Sequence, residues 1–522
     1  MPPQRRAGST GQKNKSSGGA KKQKPNAKSA LASLERKRNV DVVQDERPEP
    51  LRKEPKRRKG KGSRSPLQQP LLQNHVPTQL LDVYVFGTNC YGELGLGDLT
   101  KKSELVRPVL NQKLAADSVG VVHVTVGGVH SAALTHDNRI LTWGVNDEGT
   151  LGRDTKQEKK KGETGQDGAN NVNGETESEQ ESDADDITLN LNEATPSPVN
   201  PSLFPKGTVF AQLAASDSAT FALTTDGLVY GWGTFRGANG GIGFAPESKK
   251  EQRTPVQIPV LSDVVKLAAG AQHVLALTSN GTVFSWGCDE QHQLGRRRAS
   301  RQHQSHPLVP DQCALPSGIE DIGVGSYHSF AMHRSGAVYA WGSNNFGQTA
   351  VPTSAGHHDA TVAFPTEVRG FRKYGKLVSI CGGKDHSIAI TALGRCLTWG
   401  RIDNKALGMG IEDMPLSNII HDGYGRPRIL KQPHMLNGIT DRIIFATAAS
   451  DHSFVITEAG KAYSWGFNVQ SQAGQPGLDE VERPTLLQSK YVDGEKLVSA
   501  AAGGQFSIVT GKHLATTASS HQ

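Results

Sequence analysis

Apolar and polar positions repeat on two scales along the chain. In the stretch HVLALTSNGTVFSWG (His273 to Gly287), an apolar run from Val274 to Leu277 breaks at Asn280-Gly281, and apolar residues resume from Val283 to Trp286. Two short apolar segments on either side of a pair that tolerates positive φ predict strand, tight hairpin, strand. The stretch follows a run of small residues from Ala268 and ends on Leu294-Gly295, and the whole unit recurs. Its Trp-Gly pairs begin at Trp143, Trp232, Trp286, Trp341, Trp399 and Trp465, all the tryptophans of the chain, with Phe86-Gly87 as a seventh copy. Thirteen residues before each Trp stand His130, Ala219, His273, His328, His386 and His452, and five before stand Asn138, Gly227, Gly281, Gly336, Gly394 and Gly460. Successive Trp-Gly pairs lie 54 to 66 residues apart, with one gap of 89. A repeat of this length made of short strands predicts four-stranded propeller blades and an all-β fold.

The ends of the repeat region complement each other. Leu81 to Gly97 (LDVYVFGTNCYGELGLG) is only the second half of a unit, and Leu497 to Thr510 (LVSAAAGGQFSIVT) supplies a first half with Phe506 in the histidine slot. One blade shared between the two ends would remove two exposed sheet edges and close a seven-bladed ring. The expected division is an arm over 1–78, a propeller over 79–512 with an insertion at about 156–195, and a tail over 513–522.

Three connections depart from the repeat. After Trp232, TFRGANGGIGF (Thr234 to Phe244) is two residues longer than usual, and its glycines let the backbone protrude as a small hairpin. Phe235, Arg236, Gly237, Ala238, Asn239 and Gly240 form this candidate wedge. After Leu294-Gly295, Arg296, Arg297, Arg298 and Arg301 form either a solvated basic loop or an anchor for acidic protein surface or phosphate. After TLGRDT (Thr150 to Thr155) comes an acidic low-complexity stretch, read as a spacer or as a decoy that screens the body from the basic arm. The pairs before each histidine slot also vary, and Asp217, Asp385 and Asp451 there could cap turns or meet a basic partner.

Composition narrows the function. Residues 1–78 carry 20 Lys and Arg against 6 Asp and Glu, residues 154–204 carry 4 against 12, and the chain total is +7, so the folded body is nearly neutral. The arm lacks the large apolar residues needed to offset ordering and is expected to be disordered. Its clusters include Lys21, Lys22 and Lys24, then Lys56, Arg57, Arg58, Lys59 and Lys61. They suit an import receptor or nucleic-acid phosphates, the alternative being a solubilising tail. Five cysteines without a C-x-x-C pair predict neither a disulfide framework nor a zinc site. With no apolar run of membrane length, a soluble, non-secreted chain without a membrane partner is expected.

One histidine per blade places equivalent imidazoles about 10 Å apart, too far to share a zinc at about 2.0 to 2.1 Å. A local polar bond linking strand and turn is expected there, and no metal site. No Ser-His-Asp spacing, nucleophile elbow, phosphate-cradling loop or dinucleotide fingerprint occurs. Action by binding a partner, without covalent or acid-base chemistry of its own, is the expectation.

The recurrent [AG]-G-x-x-H-[ST]-x-[AV]-L-T…G-x-[VA]-[YF]-x-W-G-x-[ND]-x-x-G-x-L-G resembles the repeat of the regulator of chromosome condensation family over Leu81 to about Lys512. NDEGTLGRDT before an acidic insertion, WGTFRGANGGIGF and the final AAGGQFSIVTG resemble, within it, the fungal nuclear exchange factors for the small GTPase Ran. The resemblance implies a monomeric, chromatin-associated nuclear protein that supports nucleocytoplasmic transport and mitosis. It also implies that one propeller face and the wedge stabilise nucleotide-free Ran, with GDP, GTP and Mg²⁺ held by the GTPase and no cofactor in this chain. Asp217 matches a family aspartate beside the wedge, and Asp385 stands where a histidine important for exchange is common, followed by His386; these three are the expected catalytic positions. Gln272, where aspartate is usual, and Asp451 complete the expected docking face. The arginines at 296 to 301 resemble, less closely, a histone-contact region. The alternative is a propeller scaffold that binds chromatin or another protein without exchange.

Overall fold

The computed structural model describes residues 74–156, 189–247, 250–296 and 305–514. The candidate cations Lys21, Lys22, Lys24, Lys56, Arg57, Arg58, Lys59, Lys61, Arg297, Arg298 and Arg301 lie outside the described residues. So do the basic arm up to residue 73 and residues 157–188 of the acidic insertion.

Seven antiparallel sheets succeed one another along the chain. Blade one begins at Val121–Val126, blade two at Phe210–Ala215, blade three at Val264–Ala269, blade four at Ile319–Val324, blade five at Leu377–Gly382, blade six at Ile443–Ala448 and blade seven at Leu497–Ala502. These first strands carry small residues and line a central channel. The expected closure is present: Leu81–Thr88 pairs with Phe506–Lys512, Leu81 opposite Lys512 and Gly87 opposite Phe506. Blade five has a fifth strand, because the long connection after Arg401 folds back so that Ile419–His421 pairs with Pro427–Met435. Before the ring, the Asn74 side chain donates to the Thr224 and Val264 carbonyls at 3.0 and 2.7 Å, bridging blades two and three.

The unit repeats because its recurring positions join one blade to the next. Every tryptophan is buried in a seam. The indole N–H groups of Trp232, Trp341 and Trp399 donate at 2.8, 2.8 and 2.9 Å to the carbonyls of Thr150, Gln293 and Gln348 in the preceding blade. The same three carbonyls accept the hydroxyls of Thr220, Ser329 and Ser387 at 2.9, 2.9 and 2.8 Å. Those hydroxyl oxygens sit 2.8, 2.9 and 2.7 Å from Nε2 of His130, His273 and His328 in the blade before. A hydroxyl has one hydrogen, here given to the carbonyl, so each imidazole donates from Nε2. His386 reaches Ser453 at 2.8 Å, and His452 reaches Ser507, whose hydroxyl donates to Gln472 O, at 2.9 Å.

The histidine bond is therefore a correction to the local link expected from sequence: it joins blades, not strand to turn. Packing of the large side chains, at about 1.5 to 3 kcal/mol each, outweighs a latch bond of about 0.5 to 1.5 kcal/mol. The latch instead fixes how far each blade slides on its neighbour. The Leu-Gly glycine serves the same seam: at Gly295, φ is +59° and a Cβ would stand 2.5 Å from the Trp341 ring.

Burial pushes the latch imidazoles down to about 4 at His130 and His386 and to about 3 at His273, His328 and His452. Unfolded histidine takes up its proton near 6.5, so between about pH 6.5 and 4 the unfolded chain binds protons that the folded ring refuses. Stability should fall as pH drops through this window, each latch adding a loss of up to about 1.4 kcal/mol per pH unit. Denaturant unfolding at pH 7 and pH 5 measures this, and replacing His328 with Asn should reduce the slope.

Candidate functional site

The turns that leave the first strands open on one face, around a depression of about 1410 Å³. Asp217, Ser218, Arg236, Gly237, Ala238, Gln272, Lys384 and Asp385 line it, with Glu148, Glu290, Tyr327, Phe346 and Arg428. Six of the residues that sequence singles out for the wedge, the face or exchange thus meet at one mouth: Asp217, Arg236, Gly237, Ala238, Gln272 and Asp385.

The seam between blades two and three is where this mouth is built, and there the latch is absent at both ends. Ala219 replaces the histidine, buried Val274 replaces the hydroxyl residue, and Trp286 Nε1 has no partner. Aromatic packing occupies the space: Phe221, Phe235 and Phe244 lie 6.1 to 6.2 Å apart in near-parallel array. Phe221 also meets Trp286 edge-on at 5.7 Å. Ala219 belongs to this cluster, and a larger side chain there would compete with the rings for the same volume.

Above the cluster, Phe235–Gly237 and Gly240–Gly243 form the expected hairpin, with Ala238 and exposed Asn239 at its tip. Phe235 is fully buried and anchors the hairpin; it is not part of the surface that a partner could touch. Gln272 Oε1 accepts the Arg236 N–H at 2.7 Å, and its Nε2 lies 3.4 Å from Ser218 Oγ. The Arg236 guanidinium pairs with Glu148 of blade one. Glu290 of blade three accepts the Ala238 N–H through both oxygens, at 2.9 and 3.1 Å.

Asp217 is open to solvent within the mouth, and its N–H donates to Ala271 O across the seam at 2.9 Å. Surrounding protein strips much of its hydration and Glu148 adds negative charge, so its carboxyl is pushed up to about 6. Asp385 is nearly buried and sits 3.5 Å from Arg401. Burial raises its carboxyl, against the pull of Arg401 and Lys384. Arg401 and Arg428 flank the Phe346 ring at 5.1 and 5.0 Å on the blade four and five side of the mouth, which also carries Asp359 and Asp385, while Glu148, Asp217 and Glu290 stand on the side of blades one to three.

Three expected positions do not present free functional groups. His386 is buried in the latch to Ser453, beneath Asp385. Asp451 is half-buried with Oδ1 unpartnered, near His386 and outside the mouth lining. Arg296 turns inward, its guanidinium bonding the carbonyls of Ser285, His306, Pro307 and Val309, so it pins its own loop. Glu148 and Glu290 are the residues that sequence reading passes over. A signal existed: Asp147-Glu148 and Asp289-Glu290 lie in the connections on either side of the wedge, and no other Trp-Gly or Phe-Gly pair has adjacent acids within the five residues after it.

Among the described residues no group of three His, Cys, Asp or Glu could hold a metal, and no helix is long and apolar enough to cross a membrane. Fold and face together define a seven-bladed propeller that carries a braced hairpin over a charged mouth on one side. The profile of the RCC1-like domain matches residues 82–509, and the chain belongs to that family. It is 38% identical over 437 residues to Protein pim1 of Schizosaccharomyces pombe, covering 84% of this chain and 75% of pim1. It is 33% identical to guanine nucleotide exchange factor SRM1 of Saccharomyces cerevisiae, covering 84% and 89%. Among solved structures it matches Prp20p of S. cerevisiae, described for its binding to Gsp1p and histones, with TM-score 0.73, 31% identity and 85% and 94% coverage. Yeast RCC1 (Prp20) bound to Kap60 gives TM-score 0.74 at 30% identity, covering 88% and 97%.

Replacing Phe235 with Ala should cost about 3 to 5 kcal/mol, the usual range for a fully buried phenylalanine. Denaturant unfolding checks it; a loss below about 1 kcal/mol would mean that the aromatic stack does not hold the seam.

Proposed function

We propose that this protein is a guanine-nucleotide exchange factor for the small GTPase Ran, promoting GDP release and GTP loading by stabilising nucleotide-free Ran. The observation that carries this reading is the braced wedge beside Asp217 and Gln272, sharing one mouth with Asp385, in a chain whose relatives include a named exchange factor. A partner shifts a binding equilibrium only through unequal affinity for its two states. The acidic side of the mouth, with Glu148 and Asp217, repels nucleotide phosphates, so it favours a GTPase from which they have left. GDP, GTP and Mg²⁺ belong to the GTPase, and the exchange factor forms no covalent intermediate. Asp217 and Asp385 contact the GTPase, Arg236 to Gly240 enter it as the wedge, and His386 acts only by holding Asp385 through its blade.

The remaining assignments rest on relatives described with histones and with Kap60. The clusters Lys21 to Lys24 and Lys56 to Lys61 serve an import receptor and DNA phosphates. The arginines at 297, 298 and 301 serve contact with histones. The protein is nuclear, chromatin-associated and monomeric.

Purified protein should accelerate release of a fluorescent guanine nucleotide from Ran, and deleting Arg236 to Gly240 should reduce the rate to the uncatalysed one. Asp217→Asn should slow release by about 10-fold or more, as expected for loss of a group acting in the exchange complex. Equal release by the wild type and by no protein would refute the assignment.

A further inference from the structure

We propose that Glu290, on blade three, is a positioning residue that holds the blade-two hairpin upright for exchange. The inference rests on the reading of that hairpin as the wedge.

The hairpin has two short strands, Phe235–Gly237 and Gly240–Gly243. An isolated two-stranded hairpin is marginal in water, and its outer edge presents unpaired N–H groups. Residues 236 and 238 aim their N–H groups toward blade three, where side chains take the place of a third strand. Gln272 accepts the first at 2.7 Å, and the Glu290 carboxylate accepts the second at 2.9 and 3.1 Å. The two bonds differ in what they fix. Gln272 is nearly buried and bonds at the base, next to buried Phe235, whereas Glu290 bonds at the tip, where the contact is exposed. The base is already held by the aromatic stack, so the tip depends on Glu290.

Gly237 is shaped to this contact. A Cβ added there would stand 2.5 Å from Glu290 Oε1, and Gly240 and Gly241 have open space around them. Glycine at 237 thus admits the carboxylate, while the other two serve the turn.

Three variants and the Ala238 amide test this. In the free protein, Glu290→Ala should raise the hydrogen-exchange rate of the Ala238 amide while leaving the denaturant midpoint unchanged. Its maximal rate of nucleotide release from Ran should fall about 10- to 100-fold, the scale of a misplaced catalytic element, with a much smaller change in the half-saturating Ran concentration. Glu290→Gln keeps one acceptor and should restore most of the rate. Gly237→Ala should reproduce the defect, and combining it with Glu290→Ala should add little, because both break one contact. Deletion of Arg236 to Gly240, run alongside, separates the two ideas. If the deletion leaves exchange intact, the wedge reading itself fails. If the deletion abolishes exchange while Glu290→Ala keeps the full rate, or changes only the half-saturating concentration, the clip is overturned and the wedge stands.

Discussion

At three of the five latched seams the ring depends on one carbonyl oxygen. At Thr150, Gln293 and Gln348 that oxygen receives both the indole N–H and the hydroxyl of the next blade, and the hydroxyl in turn receives the histidine of the carbonyl's blade. Apolar burial presses the blades together without direction. The directional bonds set the offset between them, and that offset decides where the turns on the open face stand relative to each other. A face built from seven separate sheets can be a single docking surface only because the offset is fixed.

At the seam between blades two and three this device is given up. Losing His at Ala219 and the hydroxyl at Val274, and leaving Trp286 Nε1 without an acceptor, frees the volume that Phe235 and Phe244 fill. Those rings are the root of the protruding hairpin. A polar latch and an aromatic root compete for one site, so the wedge can exist only at an unlatched seam. The seam between blades seven and one is the milder case: Phe506 replaces the histidine, Ser131 Oγ is left without a partner, and Trp143 keeps its bond to Glu93 O at 3.0 Å.

Most of the architecture was legible because a repeated unit states the same constraint several times. The Trp-Gly spacing, the hairpin turns and the half-units at the two ends yield seven blades and the shared closure. The wedge was legible as a departure, and Ala219 was visible as a gap in the histidine series. What was hidden was the partner of each group. Spacing places His386 beside Asp385, but only the packed ring shows it bonded to Ser453 in the next blade, out of reach of a docking protein. Arg296 reads as a basic surface residue, yet three-dimensional closure of its loop brings four carbonyls around it. Glu290 reads as one more polar residue, and its role depends on a contact between blades that no local pattern encodes.

The latches are scaffold, and the proposed contact with Ran is centred on the unlatched seam between blades two and three and on the mouth it borders. Hydrogen exchange of the protein, free and bound to nucleotide-free Ran, tests this most directly. Protection should be concentrated in the turn at 216–219, the hairpin at 235–241 and the turn at 384–385. Protection confined to the opposite face, at the hairpin turns around Gly227 and Gly281, with none at the wedge, would contradict it.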